Sequence, residues 1–260
     1  MKKETWKKFP HPDKAFSYAG AALKRNWERL HRGDREPFPG NAAAQDAWRA
    51  YHCGDFAKAV DIGLHAGSSG INAANKAAMI HANYLEDDGP ARLRLFQDIC
   101  GRCAALQEAE PKNANAWYIH AYALGRYSQG ISVVKALAHG LGGEVRHSLD
   151  QALKLQPRHA DANIALGTWH AEVIAKKVGS LVGGLTHGAR KESAERHFRA
   201  ALELNLESSI ARTEYANGLV LLFGRSRAKD VDRLRAQAAA CTPADAMERL
   251  DLELAKELAA

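Results

Sequence analysis

Apolar positions recur at spacings of three and four along almost the whole chain, the period of an amphipathic helix. Phe16, Ala19, Leu23, Trp27 and Leu30 fall on one face of an opening helix, with Asp13 as its expected N-cap and Gly33 as its end. The segment Gly33-Asp34-Arg35-Glu36-Pro37-Phe38-Pro39-Gly40 interrupts the pattern and reads as a polar linker. Helices then alternate with short turns to the end. No run of alternating β-branched residues is long enough for a strand, so the fold class is all-α. Composition agrees: 49 of the residues are Ala, the strongest helix former, against 8 Pro.

The helical segments repeat. Ala152-Leu153-Lys154-Leu155-Gln156-Pro157 aligns with Ala201-Leu202-Glu203-Leu204-Asn205-Leu206 at an offset of 49 residues. Upstream of these lie Val145-x3-Leu149-x2-Ala152 and Ala194-x3-Phe198-x2-Ala201. Val231-x3-Arg235-x2-Ala238 and Ile99-x3-Cys103-x2-Leu106 supply further copies, each followed by Pro, at Pro243 and Pro111. Ala59-x3-Gly63-x2-Ala66 is a degenerate fifth.

These positions resemble the tetratricopeptide repeat (TPR), a helix–turn–helix unit of 34 residues whose second helix carries Ala-x3-Phe-x2-Ala. Trp117 stands at the signature Trp position, Leu166-Gly167 supplies the Leu-Gly pair, and Tyr215 replaces Trp in the last unit. Small residues would let paired helices approach while aromatics fill the gaps. The central segments 122–130 and 165–173 are similar to bacterial TPR proteins of poorly defined role. More distantly they are similar to the regulator of microtubule dynamics family and the T-component of some TRAP transporters. The resemblance implies a TPR-like α-solenoid of about five helix pairs. Residues 1–40 would form a basic helix and linker, 41–243 the repeats, and 244–260 a C-terminal capping helix. In that last segment Thr242, Pro243 and Asp245 read as N-cap, first-turn Pro and capping-box acid, followed by a stripe of Met247, Leu250, Leu254 and Leu258.

The spacing departs from 34. Two central units are longer by 12 and 15 residues, and both additions fall between the two helices of their unit. They are Gly-rich and apolar, near 128–142 and 177–190, and each ends in Leu-x-His-Gly.

Charge narrows the choice of partner. The net charge is +6, yet residues 1–36 alone hold ten Lys/Arg against five Asp/Glu, and residues 242–260 hold five acids against two bases. The repeat body is therefore close to neutral, which argues against nucleic acid as the partner. The basic head, with Lys2, Lys3, Lys7 and Lys8 around Trp6 and Phe9, reads as a solvated terminus. No apolar h-region follows it and no run reaches the length of a membrane span, so the reading is a soluble, cytoplasmic protein.

Candidate chemistry is sparse. Cys100-Gly101-Arg102-Cys103 has no second C-x-x-C to complete a zinc site, and Cys103 occupies a core slot of the repeat, so both are read as buried thiols. His170-Ala171-Glu172 echoes the His-x-Glu of zinc deaminases without the downstream Pro-Cys-x-x-Cys. His139 and His187 take equivalent places in the two insertions, but no H-E-x-x-H occurs among the 12 His. Phosphate-loop and nucleophile-elbow motifs are missing too. No metal, no cofactor and no enzymatic activity are expected.

What the resemblance implies instead is binding through the first helix of each unit. It places Trp48 and Tyr51 on that face in the first unit, Asn115, Tyr118, Tyr122 and Arg126 in the third, and Asp161, Thr168 and Glu172 in the fourth. Tyr and Arg are common binding anchors. The expected function is a scaffold holding a partner peptide or helix in this groove. The alternative is a hydrophobic small molecule or lipid bound under the two Gly-rich insertions.

Overall fold

The structure, a computed structural model, describes residues 6–178 and 188–260. Among these residues every regular element is helical. In chain order they are α1 (Ala22–Leu30), α2 (Ala42–His52), α3 (Phe56–His65), α4 (Ser68–Tyr84), α5 (Gly89–Ala109), α6 (Ala114–Gly130) and α7 (Val133–Ala138). Then come α8 (Leu141–Leu155), α9 (Ala160–Val178), α10 (Lys191–Leu204), α11 (Ser209–Phe223), α12 (Ala228–Ala239) and α13 (Ala246–Ala259). Short polar side chains start them by accepting from first-turn N–H groups that lack a helical partner. Asn41, Asp55, Asp88, Asn113 and Ser208 do so for α2, α3, α5, α6 and α11. At α9 an imidazole takes this role: Nδ1 of the buried His159 accepts from the Ala162 N–H at 3.1 Å.

The chain forms two compact units. The first holds the described residues up to 31 with 36–155 and 244–247; the second holds 32–35, the described part of 156–243, and 248–260. In the first unit α2 pairs with α3, α4 with α5 and α6 with α8, while α2, α4 and α6 lie side by side. The first Gly-rich insertion contributes the short α7, which touches α6 and α8. In the second unit α9 pairs with α10 and α11 with α12, and α9 lies beside α11. The fold is thus all-α, with the helix pairs of a TPR-like repeat. Most of the second Gly-rich insertion lies outside the described residues.

The repeat positions are core positions. Ile99, Cys103 and Leu106 of α5, Val145, Leu149 and Ala152 of α8, and Ala194, Phe198 and Ala201 of α10 are all buried. Their spacing matters because the helices come close. A Cβ on Gly63 of α3 would lie 2.7 Å from the carbonyl oxygen of Gly70 in α4. In the second unit the Phe198 ring fills the space left by two glycines: a Cβ on Gly167 would lie 2.9 Å from it, and one on Gly218 only 2.5 Å. Tyr215 stacks on the same ring at 5.1 Å.

Three local expectations are corrected. The opening helix is not continuous, because Gly20 turns the chain with φ 53°. Asp13 caps a 3-10 turn at Lys14–Phe16, and α1 begins only at Ala22. At the other end α13 begins at Ala246 rather than after Thr242, and the carboxylate of Asp245 lies 2.8 Å from Nδ1 of His52. Its buried residues are Ala246, Leu250, Asp251, Leu252 and Ala255, a side shifted from the predicted stripe. Nor do residues 6–9 behave as a solvated tail. Trp6 stacks on His81 at 4.0 Å, Phe9 meets Phe56 edge-on, and Lys7 pairs with Asp87 at 3.1 Å.

The glycines around Phe198 give a direct test of this packing. Gly218→Ala should lower stability by about 1–3 kcal/mol, since the new methyl meets a ring with no room to move. Gly101→Ala, mid-helix in α5 with open space around it, should raise stability by about 0.5–1 kcal/mol. Urea midpoints of the two variants should therefore move in opposite directions.

Candidate functional site

The expected binding residues fall into three groups. On α6, Asn115, Tyr118, Tyr122 and Arg126 are spaced by three and four residues and form one stripe, about 16 Å long at 1.5 Å per residue. Its N-terminal end is filled by the chain's own linker. The Glu36 carboxylate accepts from Asn115 Nδ2 at 2.6 Å and from Asn72 Nδ2 of α4 at 3.0 and 3.2 Å. Asn72 also donates to Asn113 Oδ1 at 3.1 Å, and Asn113 donates to Glu110. The backbone of Glu36 is held as well, its carbonyl accepting from the Trp27 indole at 2.7 Å. These bonds hold the preceding residue, Arg35, at φ 54°, a left-handed conformation that costs a non-glycine residue about 1–3 kcal/mol.

Further along the stripe burial decreases. Tyr118 is buried and meets Tyr122 edge-on at 6.4 Å. Tyr122 and Arg126 are half-buried, with the guanidinium 5.2 Å from the Tyr122 ring centroid and one of its nitrogens 3.3 Å from Gln129 Oε1.

Trp48 and Tyr51 are not on an open face, contrary to expectation. Each is 1 % exposed. Trp27 and His31 meet Trp48 edge-on at 5.8 and 4.6 Å, while the Tyr51 hydroxyl lies 3.0 Å from Met247 Sδ. Beside them His52 is fully buried and paired with Asp245. The residues at both ends of the first unit thus cover the part of α2 that was predicted to meet a partner.

The third group lies on α9 in the second unit. Asp161 is covered by the linker: its N–H donates to the Gly33 carbonyl at 3.1 Å, and its carboxylate packs against the Gly33 Cα. Thr168 donates to Glu214 of α11 at 3.3 Å, and Glu172 is half-buried. Sequence reasoning missed Glu36, Asn72 and His52. The available signal was a pair of asparagines, Asn72 and Asn115, near the starts of successive first helices, with a lone Glu in the linker to meet them.

Other polar clusters have structural explanations. Cys103 is fully buried and accepts from Asn75 Nδ2 at 3.3 Å. Burial pushes its thiol far up, and pushes Cys100, beside Glu144, up to about 12. Neither is disposed to form the thiolate that metal or redox chemistry requires. His120 places Nδ1 3.0 Å from Ser148 Oγ and Nε2 3.8 Å from Glu144, imitating a nucleophile, base and acid in line. Ser148, however, is 1 % exposed inside α8, where helix bonds occupy the backbone N–H groups an oxyanion would need. His197 Nδ1 donates to Asn163 Oδ1, 2.8 Å away, and its ring stacks with the buried His170. Among the described residues no three His, Cys, Asp or Glu side chains group as metal ligands. Of the insertion histidines, His139 is exposed and His187 lies outside the described residues. The second half of the predicted ligand site therefore lies outside them too.

No family model matches the chain, and no curated protein matches it. Among solved structures it is similar to a thermophilic TPR protein of Thermus thermophilus, at 15% identity and a TM-score of 0.58. The match covers 83% of this chain and 97% of that one. The fold is therefore that of a TPR protein. No helix among the described residues is long and apolar enough to cross a membrane.

Two measurements follow. In Glu36→Gln an amide NH2 replaces one carboxylate oxygen and confronts the Asn donors. Stability should fall by about 1.5–3 kcal/mol, the range for hydrogen bonds to a charged group, with faster amide exchange across residues 33–40. Burial also depresses His81 and His120, opposed in part by Glu86 and Glu144. The folded state therefore disfavours their protonated forms. Its stability should be level above the ordinary value of 6.5 and fall as pH drops below it, by at most about 1.4 kcal/mol per pH unit for each imidazole. Urea midpoints from pH 8 to 5 should decline less steeply in His81→Gln/His120→Gln; an unchanged slope would contradict the assignment.

Proposed function

We propose that the chain is a non-catalytic scaffold that binds a peptide or helix of a partner protein along the C-terminal half of α6. The observation that carries this reading is the half-buried pair of Tyr122 and Arg126, with the guanidinium 5.2 Å from the ring centroid, at the less buried end of a stripe whose other end is filled. A ring with a guanidinium held against it offers flat apolar area and directed donors together, the usual make-up of a binding anchor. The stacked guanidinium loses little further freedom when a partner arrives, which lowers the entropic cost of association.

Trp48, Tyr51 and Asn115 pack and hold the first unit itself instead of touching the partner. Asp161 is taken up by the linker, while the half-buried Thr168 and Glu172 give α9 of the second unit a polar face of its own, a second surface for a partner segment. Immobilised wild-type chain and Tyr122→Ala/Arg126→Ala should differ about tenfold in partner recovered from a lysate. Equal recovery, with both proteins folded by circular dichroism, would overturn the assignment of this surface.

A further inference from the structure

The junction of α11 and α12 in the second unit combines exposed aliphatic side chains with a run of cations. Val220 and Leu221 are 44% and 46% exposed, although Leu219 and Leu222 beside them are buried. Residues 220–229, Val-Leu-Leu-Phe-Gly-Arg-Ser-Arg-Ala-Lys, contain three cations and no acid. Gly224 turns the chain there with φ 56°, and the 3-10 turn Gly224–Arg227 leads into α12.

The start of α10 adds to the same patch. Lys191 donates to the Leu222 carbonyl at 2.8 Å and sits 4.9 Å from the Phe223 ring centroid. The Arg227 guanidinium lies 5.6 Å from the same ring. Two cations thus converge on one aromatic residue, with Arg225 and Lys229 exposed nearby. The surrounding acids do not cancel them. Asp230 is shared between Arg227 and Arg233, and Glu195 between Arg199 and Arg227, while Glu192 in the first turn of α10 and Asp232, three residues after Lys229 in α12, offset part of the remaining charge.

We propose that this end of the second unit docks on an anionic phospholipid surface. Val220 and Leu221 enter the headgroup zone while Lys191, Arg225 and Lys229 meet lipid phosphates. Exposed aliphatics flanked by cations suit a bilayer interface, where apolar insertion and attraction to anionic headgroups add. The cations come from the start of α10, the turn and the start of α12, with no linear register among them. A diffuse surface charge tolerates that arrangement, whereas a nucleic-acid strand would favour an aligned track with stacking rings.

The full chain should co-sediment with vesicles of equal parts phosphatidylcholine and phosphatidylglycerol, and far less with phosphatidylcholine alone. Arg225→Glu/Lys229→Glu, both exposed positions, should lower binding to the anionic vesicles by about tenfold or more. Val220→Ser/Leu221→Ser should lower it several-fold while leaving its salt dependence unchanged. The idea fails if the wild type does not distinguish the two vesicles. It fails equally if Arg225→Glu/Lys229→Glu binds as wild type, which would move the contact to the basic head at Lys7 and Lys8. Binding to an acidic polypeptide such as polyglutamate with none to vesicles would assign the patch to a protein partner and also overturn it.

Discussion

Close approach of paired helices is the constraint from which the rest of this molecule follows. Where Gly63 and Gly70 meet, or where Phe198 lies against Gly167 and Gly218, one partner must be small and the space left over must be filled by one large side chain. Interiors are packed to crystal-like density, so neither side can change alone. Helices joined this way bury the side they share and leave the outer side of each first helix without a partner from its own pair. A repeat array must cover those sides, solvate them or use them for binding.

The first unit covers much of its own row. Leu23, Trp27 and Leu30 of α1 are buried, and such side chains contribute about 1.5–3 kcal/mol each when removed from water. The carboxylate bonds of Glu36 then hold the linker against α4 and α6 and offset the strain at Arg35. A partner peptide would have to replace both contributions to reach Trp48 or Tyr51. That is a poor exchange for a short segment, which also loses its own freedom on binding. The proposed partner surface therefore falls on first-helix positions that are less buried, and on α6 these are Tyr122 and Arg126.

Much of the architecture was legible in the sequence because packing leaves a periodic trace. The spacings at Ile99, Val145 and Ala194 survive as buried positions since each faces its partner helix at the same point of the unit. The site was less legible. Whether Trp48 is a groove residue or a core residue depends on what lies above it, and Trp27 and His31 come from a segment with no repeat pattern. Gly20 falls inside the span of the predicted opening helix, and its positive φ divides that helix. Asp245 fitted a local capping pattern, and a long-range contact with His52, 193 residues away, could not be read from its neighbours.

Net charge is also a poor guide until the charges are placed. The surplus of +6 points to the N-terminal head, where Lys7 pairs with Asp87 and the Trp6 and Phe9 rings lie against the first unit. Exposed pairs such as Lys7–Asp87 contribute little to stability and remain screened by salt. By contrast the three cations of residues 220–229 are hidden in the total by acids elsewhere in the body, yet this segment places Arg225 and Lys229 beside exposed Val220 and Leu221. Within a Debye length of about 8 Å at physiological salt, such local density governs what a surface attracts. A near-neutral repeat body can therefore carry a strongly cationic end, and the chemistry of that end is set by which apolar side chains share it.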